Sequence, residues 1–230
     1  METYEFIALA FQKGGPFMYA IGAVGILVMA ISADRFIKLF FVYSVNSTPF
    51  MSQIMKLIAS SNVERAVKMC QIKSNASLPH VIRSGLLKFG KPVEDVEGAM
   101  DEASLKVVPQ IQSGLSFIAT FANLATLLGL LGTITGLIRS FGSLSAADPA
   151  QKQQLLAKGI SEAMNCTAFG LIVAVAAIIL HSYLSNKANK MMDDIDIYSV
   201  SVTNAISEQY RTTRNRVPGS PDQQPPTGAM

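Results

Sequence analysis

Ala163-Met-Asn-Cys-Thr-Ala-Phe-Gly-Leu-Ile-Val-Ala-Val-Ala-Ala-Ile-Ile-Leu-His-Ser-Tyr-Leu184 runs without an acidic residue, a lysine or an arginine. About 20 mostly apolar residues are enough for a helix to cross a hydrocarbon core of ~30 Å. Directly before this run stands Lys158-Gly-Ile-Ser-Glu162. A carboxylate inside a membrane span costs roughly 2.5 kcal/mol or more on insertion scales, so such groups pair, or carry protons or ions. Asn165 and Cys166 lie three and four residues after Glu162 and share its helical face, whereas Thr167 lies about 140° round the helix. Lys158, four residues before Glu162, offers the plainer alternative of a surface ion pair.

Two further windows have the same character, residues 17–33 and 115–138, and apolar residues resume at 36–43 after the first. Half of the 230 residues are hydrophobic and only 15% are charged. That balance suits a membrane protein with a sizeable polar part. The expected fold class is an all-α membrane protein with three transmembrane helices, the second and third extended into the cytoplasm, and a helical cytoplasmic segment. The first fifteen residues contain Glu2, Glu5 and Lys13 and lack the basic start of a signal peptide, so an uncleaved first span is expected. Ten lysines and arginines fall in residues 34–112 and five follow the third span, against one before the first span and three between the second and third. The positive-inside bias therefore predicts an external N-terminus and a cytoplasmic C-terminus.

Along the chain this predicts an external segment at 1–15, a first transmembrane helix at 16–34, and a cytoplasmic helical region at 35–112. A second transmembrane helix follows at 113–138, a short periplasmic loop at 139–155, and a third transmembrane helix at 156–184. A cytoplasmic helical extension at 185–216 and a disordered, proline-rich tail at 217–230 complete the chain. Breaks are expected at 46–49, 75–79 and 90–92. Pro92, with Glu94 and Asp95 behind it, reads as a helix start. Pro109 should kink that helix at the membrane boundary. Asp148-Pro149 reads as N-cap and first helical residue, opening a helix that runs to about residue 216, on the order of 100 Å.

The second span carries Gly129, Gly132 and Gly136 at spacings of three and four, which places them on one face and predicts close helix packing. Ser116, Thr120, Asn123, Thr126 and Thr133 fall on one broad polar side. Either they face a lumen or a polar partner, or the hydroxyls bond back to carbonyls one turn earlier. Asn123, Thr126 and Asn165 are candidate pore-side polar residues. The net charge of +3 is too small to argue for nucleic acid, and no nucleophile–base pair, phosphate loop or metal-ligand spacing occurs. No enzyme activity, metal or cofactor is expected. Cys70 and Cys166 read as small, partly buried residues rather than a disulfide.

Leu127-Leu-Gly-Leu-Leu-Gly-Thr-Ile-Thr-Gly-Leu137, Gly159-Ile-Ser-Glu-Ala163 and Thr167-Ala-Phe-Gly-Leu171 together resemble the signature of the MotA/TolQ/ExbB proton-channel family. Asp34-Arg35 is similar to that family's acidic-Arg step after the first span. Three spans fit the ExbB/TolQ type rather than four-span MotA. The resemblance implies a homopentamer in the bacterial inner membrane, whose second and third spans line a pore. It also implies a single-span ExbD- or TolR-like partner with a membrane aspartate, and coupling of the proton motive force to work across the envelope. The family's functional threonines map onto Thr133 and Thr167, and its glutamate onto Glu162. Thr126 and Ala176 stand where prolines are common in the family. Lys158 also replaces a frequent proline, and Asn165-Cys166 replaces small apolar residues, which marks a divergent homologue. The reading from another class is a passive membrane scaffold without ion conduction.

Overall fold

The computed structural model describes residues 15–72, 76–144 and 149–216. The expected segment before residue 15, the turn residue Asn75, the N-cap Asp148 and the tail at 217–230 lie outside the described residues. The fold is helical, with no strand among the described residues: α1 (Gly15–Ile37), a π-helical turn (Lys38–Val42), α2 (Ser47–Ala59), α3 (Val63–Ile72), α4 (Ser77–Leu86), α5 (Val93–Gln112), α6 (Leu115–Leu144) and α7 (Pro149–Arg216). Three helical stretches are long and apolar enough to cross a membrane.

The chain forms two compact units, residues 15–37 with 112–186, and residues 38–111 with 187–216. In the first unit α1, α6 and the N-terminal part of α7 bury narrow stripes at helical spacing. On α1 these are Met18, Ile21, Val24 and Val28; on α6 they are Ile118, Ala122, Ala125 and the three glycines. The opposite faces are apolar too, with Ile26, Leu127 and Ile172 largely exposed. A helix that is hydrophobic all round is built for a core or a lipid environment, so this unit is the membrane-spanning part of a multi-pass protein.

In the second unit α2 to α5 and the C-terminal part of α7 are amphipathic in the ordinary way. Ile54 and Ile58, Val81 and Ile82, Met100 and Val107, Ile195 and Val202 are buried, while charged residues face outward. The Ser-Thr-Pro and Ser-Leu-Pro sequences open α2 and α4, where a proline inside the first turn forfeits no helical hydrogen bond. Glu64–Lys68 (2.9 Å) and Glu102–Lys106 (2.6 Å) are i,i+4 pairs on exposed faces. Such pairs contribute little to stability.

The helix that carries Pro109 ends close to it. Pro109 lies within α5, and the helix breaks at Gly114, whose φ of 77° is in the left-handed region. Arg35, at the end of α1, fills the space where a Gly114 side chain would stand, with its Cδ 3.1 Å from that position. Arg35 also lies 3.4 Å from Asp34. Helix covers most of residues 139–155, because α6 continues to Leu144 and α7 begins at Pro149.

Candidate functional site

The site grows out of the antiparallel packing of α6 on α7. Gly129, Gly132 and Gly136 are buried on α6, and on α7 Ala163, Cys166 and Gly170 are buried. A Cβ at Gly129 would lie 3.3 Å from the Thr167 Cα and 3.4 Å from the Gly170 Cα. One at Gly132 would overlap the Cys166 Sγ, and one at Gly136 would lie 3.0 Å from the Ala163 Cβ. Each step up α6 meets a step down α7, so the two backbones run in contact over several turns. At all three glycines a Cβ would meet α7 at 3.4 Å or less.

The close approach brings Thr167 into reach of the neighbouring backbone. Its hydroxyl donates to the Gly129 carbonyl at 2.9 Å. In a regular helix that carbonyl also accepts the N–H of the residue four positions on, which is Thr133. The two threonines therefore converge on one carbonyl from two helices. The Thr133 hydroxyl itself turns back onto the Leu130 carbonyl at 2.6 Å.

Glu162 engages a different neighbour. Its carboxylate lies against Gly15, the first residue of α1, where a Cβ would overlap Oε1. Gly15 has a φ of 68°, a backbone conformation that favours glycine, while the space beside it is taken by the end of the flexible Glu162 side chain. The carboxylate thus stands at the positive end of α1, where a negative charge is favourably placed. Glu162 is half-buried. Among the described residues it forms no ion pair with Lys158, which is exposed. Glu162 and Thr167 point to different helices, as their spacing predicted, and no hydrogen bond joins Glu162, Thr133 and Thr167 to one another among the described residues.

The polar side of α6 divides. Thr120 and Thr126 donate back to the Ser116 and Ala122 carbonyls at 2.9 and 3.3 Å, the local alternative for a helical hydroxyl. Asn123 is exposed and Asn165 half-buried. Gly15, Gly170, and the Ser140–Gly159 contact at the end of the α6–α7 seam were not singled out from sequence. For Gly159 and Gly170 the three- and four-residue spacing to Ala163 and Cys166 is the signal that could have found them. For Gly15 only its long-range neighbour explains it. No group of three or more metal-ligating side chains occurs among the described residues.

The pattern of the MotA/TolQ/ExbB proton channel family matches residues 73–197. The chain is 27% identical over 189 residues to an ExbB homologue of Methanothermobacter thermautotrophicus, covering 81% of this chain and 66% of that one. An ExbB-like biopolymer transport protein of Synechocystis is 29% identical over 208 residues, 87% of this chain and 78% of its own. The Tol-Pal system protein TolQ of Haemophilus influenzae is 32% identical over 111 residues, 48% of each chain. The chain thus spans just under two thirds of the first relative's length and about half of TolQ. The C. jejuni MotAB structure has a similar fold, with a TM-score of 0.56 and 16% identity over 89% of this chain and 84% of the other.

Proposed function

We propose, because this chain belongs to the MotA/TolQ/ExbB proton channel family, that it is an inner-membrane channel and stator subunit. In this reading it couples the proton motive force to mechanical work across the envelope. The family is one of channels and not of enzymes. The observation that carries the reading is Glu162, a half-buried carboxylate at the head of an apolar helix, which no lysine neutralises within 4 Å among the described residues. Such a group takes up and releases protons when water or a partner's acid reaches it.

The finer parts of the reading rest on the family and on charge distribution. Glu162, Thr133 and Thr167 form the ion pathway, with Asn123, Thr126 and Asn165 on the pore side. The chain assembles as a homopentamer around a single-span ExbD/TolR-like partner whose membrane aspartate faces the pathway. The N-terminus is periplasmic and the C-terminus cytoplasmic, as the lysine and arginine asymmetry favours. One elementary charge crossing 100 mV releases about 2.3 kcal/mol, so several protons must be coupled to each working step.

Glu162→Gln keeps the shape and removes the ionisable proton. Energy-dependent function in cells is expected to fall to the level of a deletion, while the variant still assembles into the wild-type complex. Wild-type activity in that variant sinks the reading. The scaffold alternative predicts that outcome, together with function that ignores the membrane potential.

A further inference from the structure

The second unit contains a pocket of about 320 Å³ whose walls include the starts of two helices and two lysines. Ser47 and Thr48 begin α2, and Ser77 and Leu78 begin α4. Neither helix start is capped by its own N-cap side chain. First-turn N–H groups point out of a helix and make its N-terminus attractive to anions. Lys187 and Lys190 line the same pocket, and the Lys187 ammonium is held 5.2 Å from the Phe40 ring centroid. The carboxylate in the wall, Asp194, accepts a hydrogen bond from the Ser47 hydroxyl at 2.6 Å.

Ser77 supplies the independent sign of a ligand. It is 4% exposed, and its hydroxyl oxygen is buried without a hydrogen-bond partner. An unsatisfied buried hydroxyl costs about 1–3 kcal/mol and is uncommon in a folded protein. Ser77 also borders a neighbouring hollow, but that one has a single lysine, Lys106, and one helix start. The pocket with two helix starts and two lysines is the better anion site.

The Ser77 N–H is already bonded to the Tyr43 carbonyl at 3.3 Å, and Pro49 and Pro79 carry no N–H, which leaves the first-turn N–H groups of Ser47, Thr48 and Leu78. We propose that this pocket binds a phosphate group, held by Lys187, Lys190, the Ser77 hydroxyl and those three N–H groups. The volume admits a phosphate with a small organic substituent. The same chemistry is offered by a phospholipid headgroup and by a soluble phosphate. In sequence, both lysines closely follow the third apolar run and Tyr43–Pro49 the first, which is where headgroups meet a membrane protein.

The test uses the full chain in detergent, titrated separately with inorganic phosphate and with short-chain phosphatidylglycerol at constant ionic strength, and followed by its thermal midpoint. Each lysine near an anionic headgroup contributes about fivefold in affinity. The double variant Lys187→Gln, Lys190→Gln therefore needs roughly twenty-five-fold more ligand for the same rise in midpoint. A lysine-dependent rise with the lipid alone identifies a headgroup; one with inorganic phosphate alone identifies a soluble anion. Ser77→Ala separates binding from folding. It weakens the response to ligand while leaving the ligand-free midpoint at or above wild type, since a buried unpaired hydroxyl is removed. No rise with either ligand, or an equal rise in the lysine variants, overturns the proposal.

Discussion

Thr167 holds two helices together with a single hydroxyl. Its bond to the Gly129 carbonyl crosses the α6–α7 seam at 2.9 Å, where a Cβ on Gly129 would lie 3.3 Å from the Thr167 Cα. Interhelical hydrogen bonds of this kind contribute about 0.6 kcal/mol on average and up to ~1.7. Thr167→Ser keeps the donor and is expected to unfold in detergent near the wild-type midpoint. Thr167→Val keeps the shape, loses the donor and should be destabilised by about that range. Equal midpoints for the two variants would show that the bond contributes nothing. Cys70 in the second unit makes a different point. Burial pushes its thiol up to about 12, against a smaller opposing pull from Arg83. At pH 8 the native thiolate is then roughly one part in ten thousand, so iodoacetamide is expected to leave Cys70 untouched until the chain unfolds. The unfolded thiol releases its proton near its ordinary value of 9.0 and the native one only near 12. Raising the pH through that window therefore lowers stability, because the native state holds more protons. Native alkylation at the rate of a free thiol would contradict this.

At the scale of elements, the α6–α7 seam depends on atoms that are absent. A Cβ on Gly170 would lie 2.8 Å from the Ala125 carbonyl oxygen and 3.0 Å from the Gly129 Cα, and backbone cannot yield as a flexible side chain can. Gly170→Ala is therefore expected to cost about 1–3 kcal/mol and to weaken assembly, read by denaturation and size-exclusion chromatography. Gly98, on α5, has open space where its Cβ would stand. There the same substitution should gain about 0.5–1 kcal/mol through helix propensity and a less flexible unfolded chain. Equal responses at the two glycines would contradict the seam. The glycines of α6 were legible because their spacing alone puts them on one face. Their partners were not, since register is set by two helices together and spacing describes only one. The break at Gly114 was not singled out from the sequence, where Pro109 drew attention as a kink. Pro109 lies inside α5, whereas the break between α5 and α6 uses the positive φ of Gly114, which glycine adopts without strain. The contact of Glu162 with Gly15 joins residues far apart in the chain and left no local pattern to read.

For the whole molecule, three uncharged runs and the motifs around Leu127–Leu137 and Gly159–Leu171 carried the fold and the family, because long apolar periodicity and a dense motif are the signals that sequence holds most strongly. The chemistry proposed for it is concentrated more narrowly, in Glu162, which precedes the apolar run of α7, and in Thr133 and Thr167, the second of which donates to the Gly129 carbonyl. The central claim is that protons pass this site under a membrane potential. Proton flux into liposomes containing the purified chain with the single-span partner proposed for it, driven by an imposed potential, measures this directly. The account predicts potential-dependent flux for the wild type. For Glu162→Gln, in a complex of unchanged size, it predicts flux no greater than in empty liposomes. Equal flux from both proteins would contradict it.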